Sequence, residues 1–383
     1  MRLFFVILLI SSLLRCTSSK KNKIVHPTEQ NLFNKSISNG IDLKDTVYFK
    51  KNKSISELQK SLNNLRVKSS IGKLYGKEEN MFGQITDILM DSLNHIFILD
   101  KNKQNIRVFS EDGKYLQTLG GKGDGPGEFE RASSMALYKN FLIVSNGFRL
   151  EVFKISKQDI KFQQTHKFKK AFRSICTIDN KLFAHYNLIF DENIIKNLSS
   201  VNTIQTISLP SFDTLSALGK PYASDNIAAV ERLSVGNISC NKKTATVTFS
   251  FEKVPLIYNF SSEDGSLLNG IRLDNINTTK IIASNSKGRP SLTYQPPKEG
   301  YWDKLLPPIH IKNEYNLLQI IRLDVSDEEY NSNFKVLSIL FNSLNGNGYL
   351  IGESIPIINH VSNNRVLTIS SKFISSKINI ISF

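Results

Sequence analysis

Histidine and cysteine are the side chains best suited to metal or nucleophilic chemistry, and this 383-residue chain has few of either. Its six histidines, His26, His95, His166, His185, His310 and His360, never fall at HxH or HxxxH spacing. Such spacing lets one strand or helix aim two imidazoles at one ion. His185 is expected on a strand, where it could face a channel; His95 is expected in a solvent-facing turn. No CxxC, GxSxG or P-loop occurs, and GGKGDGPG at 120–127 runs into a proline and a strand, not a helix that could cradle phosphate. Asp124 and Glu128 are near in sequence but read as turn residues. No catalytic residue, metal ligand or cofactor is therefore assigned. The side chains left for recognition are Lys122, Asp124, Arg149, Tyr301 and Trp302. Aromatic faces beside polar groups suit a peptide or a carbohydrate. Trp302 also reads as a residue that pins its own segment to the domain.

Strands are the elements that must position these residues. IFIL at 96–99 returns as FLIV at 141–144, and IRVF at 106–109 returns as LEVF at 150–153. Both pairs shift by nearly the same amount, about 45 residues, the length of a four-stranded propeller blade. FSEDGKYL at 109–116 is echoed by FSSEDGSLL at 260–268, and Asn345-Gly346 marks a third such turn. Asp-Gly and Asn-Gly supply the positive φ that tight hairpins demand. ATVTFSF at 245–251 alternates with period two, as a half-buried strand does.

Six units follow, at about 80–125, 126–170, 171–215, 220–275, 311–350 and 351–383. The last is short, and DTVYF at 45–49 is expected to complete it and close the ring. The fold class expected is all-β: a six-bladed β-propeller of four-stranded blades. SISELQKSLNNL at 54–65 predicts a short amphipathic helix outside the ring or connecting to it. Residues 276–310 fit no blade and read as an irregular, ordered insertion. They hold Pro296-Pro297, Pro307-Pro308 and the only tryptophan. Gly125-Pro126-Gly127 turns the chain between blades, Phe129 plugs neighbouring sheets, and Asp100 with Arg107 reads as a structural pair across a hairpin.

The first sixteen residues read as an export signal: Met1-Arg2, an apolar run from Leu3 to Leu14, then Cys16 before polar TSSKKNK. The run is too short to span a bilayer comfortably. Cys16 in that place suggests a lipidated N-terminus, although Arg15 stands where a lipobox carries a small residue. A cleaved signal with an incidental cysteine and an uncleaved anchor are the other readings. Residues 17–42 are expected to be a flexible tether and 43–383 the propeller. An oxidising compartment permits a Cys176–Cys240 disulfide, but two cysteines without motif spacing are more often separate buried apolar residues. The net charge is +15, and most of it reads as solvated lysine spread along the chain. KKNK at 20–23 would lie near anionic headgroups. Export argues against a nucleic-acid partner.

GKGDGPGEF at 121–129, together with ILDKNKQNIRVFSEDGKYL before it, resembles the NHL-repeat family. The match is to bacterial six-bladed β-propeller lipoproteins with that strand pattern. Asp100, Arg107 and Asp112-Gly113 stand at the family's positions. Ser145 and Glu151 depart from the pattern in the next repeat. The resemblance implies a propeller that engages a protein, peptide or glycan of the cell envelope, with the membrane reached through a lipid anchor. Related propellers include metal-dependent hydrolases and lyases, which implies a channel enzyme as the alternative.

Overall fold

The computed structural model describes residues 23–25, 37–42, 53–188, 198–286, 289–325, 334–353, 355–362, 365–372 and 375–382. Residues 1–16, with Cys16, and residues 45–49 lie outside them. In chain order the first elements are β1 (Lys23–Val25), β2 (Ile37–Asp42), helix α1 (Lys53–Asn63) and β3 (Arg66–Ile71). Next come β4 (Ile85–Met90), β5 (Ile96–Asp100), β6 (Asn105–Phe109), β7 (Tyr115–Gly120), β8 (Ala132–Tyr138), β9 (Phe141–Ile155), β10 (Ile160–Ile178) and β11 (Lys181–Tyr186). They are followed by β12 (Ile204–Ser208), β13 (Thr214–Leu218), helix α2 (Ile227–Leu233), β14 (Gly236–Asn241), β15 (Thr246–Phe251), β16 (Leu256–Ser261) and β17 (Leu267–Asp274). The last are β18 (Lys280–Ser286), β19 (Arg289–Gln295), β20 (Tyr301–Leu305), β21 (Ile309–Lys312), β22 (Tyr315–Asp324), β23 (Phe334–Asn342), β24 (Gly348–Gly352), β25 (Ile358–Ser362), β26 (Arg365–Lys372) and β27 (Ser375–Ser382).

These strands build six blades. β4–β7 form the first, and β14–β17 the fourth. β21–β24 form the fifth, and β25–β27 with β3 the sixth. The second and third share one sheet because β9 and β10 each serve twice. β8 pairs with the first half of β9. The Ile155 N–H bonds Asn140 O, folding the second half of β9 back on the first. Residues 160–167 of β10 then continue blade two, and Phe172–Ile178 open blade three against β11. The inner strands β4, β8, β10, β14, β21 and β25 touch in turn around a closed ring.

The core consists of six apolar clusters, one between each pair of neighbouring blades. Ile88, Met90 and Ile98 of blade one meet Ile71, Leu367, Ile378 and Ile380 of blade six, sealing the two together. Phe129 is fully buried between blades one and two among Phe97, Val108, Leu142 and Phe153. Gly120 makes room for it, since a Cβ there would lie 2.3 Å from the ring. The expected hairpin turns form: Gly113, Gly265 and Gly346 have φ of +84°, +76° and +74°.

Helix α1 forms where expected. Its Ile55, Leu58 and Leu62 pack on Ile311, Leu317, Val366 and Ile381 of blades five and six.

Three expectations change. The ring is closed by β3, antiparallel to β27, so the role given to 45–49 belongs to 66–71. RVKSSI has a weak strand pattern and gains its stability from pairing. Residues 17–42 are not simply a tether: β2 pairs in parallel with β17, and β1 with β18. The segment 276–310 is largely β-structure. β18 and β19 pair as a hairpin, β20 and β21 both pair with β22, and Pro307-Pro308 separates those two strands. Proline lacks the donor a continuous strand would need, and that punctuation makes the sequence look irregular.

Candidate functional site: the central channel and its mouth

The six inner strands wall a channel that encloses about 350 Å³. Each strand carries a polar residue that reaches the next blade or the channel. Asp87 Oδ2 accepts from Met135 N at 2.6 Å, Ser134 Oγ from Ile175 N at 3.2 Å, and Ser174 Oγ from Ile238 N at 3.2 Å. These are equivalent positions on β4, β8 and β10, so short acceptors latch four inner strands in series. Burial pushes the Asp87 carboxyl up to about 6, against the pull of the Met135 and Ile88 N–H groups.

His310 and His360 line the channel, on β21 and β25. Burial lowers the basicity of both, His360 to about 4, so both rings are neutral at pH 7. His310 Nδ1 and His360 Nε2 are buried without a hydrogen-bond partner. Among the described residues, no three His, Cys, Asp or Glu side chains converge to hold a metal ion.

His185 does not face the channel. It is fully buried between blades three and four, with Nδ1 3.0 Å from Thr203 O and Nε2 accepting from Gly236 N at 3.2 Å. Only a neutral ring with its proton on Nδ1 satisfies both partners, and burial lowers its pKa to about 3. His95 is not an open turn residue either: its Nδ1 lies 2.9 Å from Asp91 Oδ2, with the side chain 12% exposed. Sequence reasoning missed the channel pair His310 and His360 because one follows Pro307-Pro308 and the other lies in a degraded repeat.

Each blade opens with its inner strand, so the segments entering these strands gather at one mouth of the channel. The expected contact residues divide there into two groups. Lys122, Asp124 and Arg149 lie together by the loop that enters β8. Arg149 donates to the Asp124 carbonyl and pairs with buried Glu151 at 3.2 Å, and Lys122 bridges to Phe129. That loop is held by side chains of the neighbouring strand β9. Tyr301 and Trp302 lie on β20, which enters β21. Trp302 Nε1 donates to Thr279 Oγ1 at 3.1 Å, pinning β20 beside β18. Asp303 is buried and held by Arg322 at 2.7 and 2.8 Å.

Each aromatic of the insertion carries a cation from its own chain. Lys304 Nζ lies 4.1 Å from the Trp302 ring, Arg322 Cζ 5.4 Å from Tyr301, and Lys253 Nζ 4.1 Å from Tyr294. A sugar would need those faces free for stacking, so this surface offers positive charge instead.

Cys176 and Cys240 form a disulfide with Cα atoms 5.6 Å apart. They lie on the channel-lining stretches of β10 and β14, so the bridge ties blade three to blade four. Pairing replaces the expectation of two separate buried thiols, because the ring sets their strands side by side. Asp100 and Arg107 pair as expected, at 3.0 Å and both buried. Asp100 also accepts from Gly83 N and Gln84 N, and Arg107 donates to the carbonyls of Glu78, Glu79 and Met81. The pair fastens the segment that enters β4.

Residues 25–284 match the family described as 6-bladed beta-propeller. Two solved structures from Bacteroides share the fold. One, from Bacteroides fragilis and named as an exported protein, is 12% identical with a TM-score of 0.52, covering 90% of this chain and 98% of its own. The other, from Bacteroides vulgatus, is 9% identical with a TM-score of 0.51, covering 84% and 97%. No curated protein matches the sequence.

Proposed function

We propose, for a chain that belongs to the 6-bladed β-propeller family, a non-catalytic role as an exported, lipid-anchored binding protein of the cell envelope. Its ligand is a peptide or glycan segment that enters the channel at the mouth where the inner strands begin. The leader and Cys16 support the anchor, and a disulfide suits an oxidising compartment. The observation that carries the binding reading is the channel wall. It offers hydroxyls and amides such as Thr86, Ser133 and Asn237 around an open cavity. Separately placed donors and acceptors suit recognition of a polar chain.

Titration calorimetry with envelope-derived glycan fragments and peptides tests this reading. Thr86, exposed toward the channel, is replaced by tryptophan to fill it. Binding should fall at least tenfold in Thr86→Trp with the fold intact. Equal affinity in both proteins would remove the channel as the site.

A further inference from the structure

We propose that the sheet of β1, β18 and β19, with β20 beside it, is a lipid-contact surface that seats this rim of the propeller on anionic headgroups. The inference rests on the proposed anchor at Cys16 and specifies what that anchor does to the fold.

Chain length supplies the first argument. β1 begins at Lys23 and pairs with β18 through Lys23–Ala283, Ile24–Ile282 and Val25–Ile281. Six residues lie between it and Cys16, so the seven Cα–Cα steps reach at most about 25 Å when fully extended. A lipid on Cys16 therefore holds this sheet within that distance of the bilayer.

Charge and side-chain type supply the second. The described side chains of this surface include Lys253, Lys280, Lys298, Lys304 and Arg322 against two acids, Glu299 and Asp303. Asp303 is already neutralised by Arg322. Tyr294 and Tyr301 are 37% and 44% exposed, each with a cation over its ring. Tyrosine, tryptophan and basic side chains together are the composition of a membrane interface, and anionic lipid attracts such a cluster within a Debye length. The surface also has an inner attachment. Ile281 and Ala283 of β18 pack into the blade-four core, and Asn226 Nδ2 bonds Ser284 O at 3.2 Å. The outward face is thus presented on a fixed support.

The sole tryptophan, Trp302, reports on this surface directly. The full chain is reconstituted in vesicles of phosphatidylcholine with about one-third phosphatidylglycerol and a headgroup spin-labelled lipid, where the proximity argued above predicts quenching. Trp302 emission should fall at least twofold. The loss should shrink in phosphatidylcholine alone and in the Lys298→Glu/Lys304→Glu protein. Mass spectrometry of the same preparation reads the acyl group on Cys16. Acylated protein with unquenched Trp302 overturns the surface and leaves the anchor standing. Without acylation the anchor fails, and flotation of the protein with the same anionic vesicles decides the surface: charge-dependent flotation supports it, and none overturns it. Unquenched protein that scatters light as a dimer would assign the face to a second copy of the chain and overturn the lipid assignment.

Discussion

Asp87 on β4 accepts a 2.6 Å hydrogen bond from the backbone N–H of Met135 on β8, joining the inner strands of blades one and two. Ser134 and Ser174 repeat the contact toward blades three and four. The first latch differs in being ionisable. Burial raises its folded pKa to about 6, above the unfolded value near 3.9. The native state therefore binds more protons between those values, and the Asp87 contribution to stability falls as pH rises from about 4 to about 6.

Asp87→Asn keeps an oxygen for the Met135 N–H and removes the titration. The difference in stability between variant and wild type should change across that pH window and be flat above it, read by denaturant unfolding. A constant difference from pH 4 to 7 would show that Asp87 does not titrate there. His185 and His360 act with the opposite sign. Their folded pKa values, about 3 and about 4, lie below the unfolded value, so their contribution is lost as pH falls below about 6.5.

Arg107 makes the second prediction. Its removal leaves the Asp100 carboxylate buried with no cation, and it frees three carbonyls of the 78–81 segment. Arg107→Ala should cost about 3–5 kcal/mol. Replacing the pair together, Asp100→Asn with Arg107→Met, should cost less than the single change, because no unpaired charge remains. Chemical denaturation of both variants checks it. A double variant less stable than Arg107→Ala would place the stabilisation in the pair's own attraction.

The Cys176–Cys240 bridge makes the third. It closes a loop of 64 residues between adjacent blades, worth about 4 kcal/mol on a chain-entropy basis. Cys176→Ser/Cys240→Ser should lower the midpoint of thermal unfolding, and dithiothreitol should move the wild type to the same value. An unchanged midpoint after thiol titration confirms full reduction would leave the bridge without a stabilising role.

Much of the first blade and a half is legible in residue types. The period near 45, the Asp-Gly turns, the buried Phe129 and the Asp100–Arg107 pair all follow from local chemistry. A hairpin turn needs positive φ, and a blade has a fixed strand length. The later repeats are less legible because apolar packing between sheets accepts many side chains, so turn residues drift while the core clusters persist. The site was least legible. Arg149 and Asp124 do meet, but through the Asp124 main-chain carbonyl, so the contact fastens the loop to β9. Tyr301 and Trp302 stand on a strand, not on an irregular loop.

Sequence by itself determined the β period, the turn chemistry and the helix expected at 54–65, which forms over Lys53–Asn63. Those are properties of neighbours along the chain. Tertiary structure alone decided that β3 closes the ring, that Cys176 reaches Cys240, and that His310 and His360 face the channel while His185 does not. It also decided that β1 joins the sheet of β18 and β19. Each of these depends on segments tens to hundreds of residues apart being set side by side by ring closure, a long-range constraint that leaves no periodic mark on either partner.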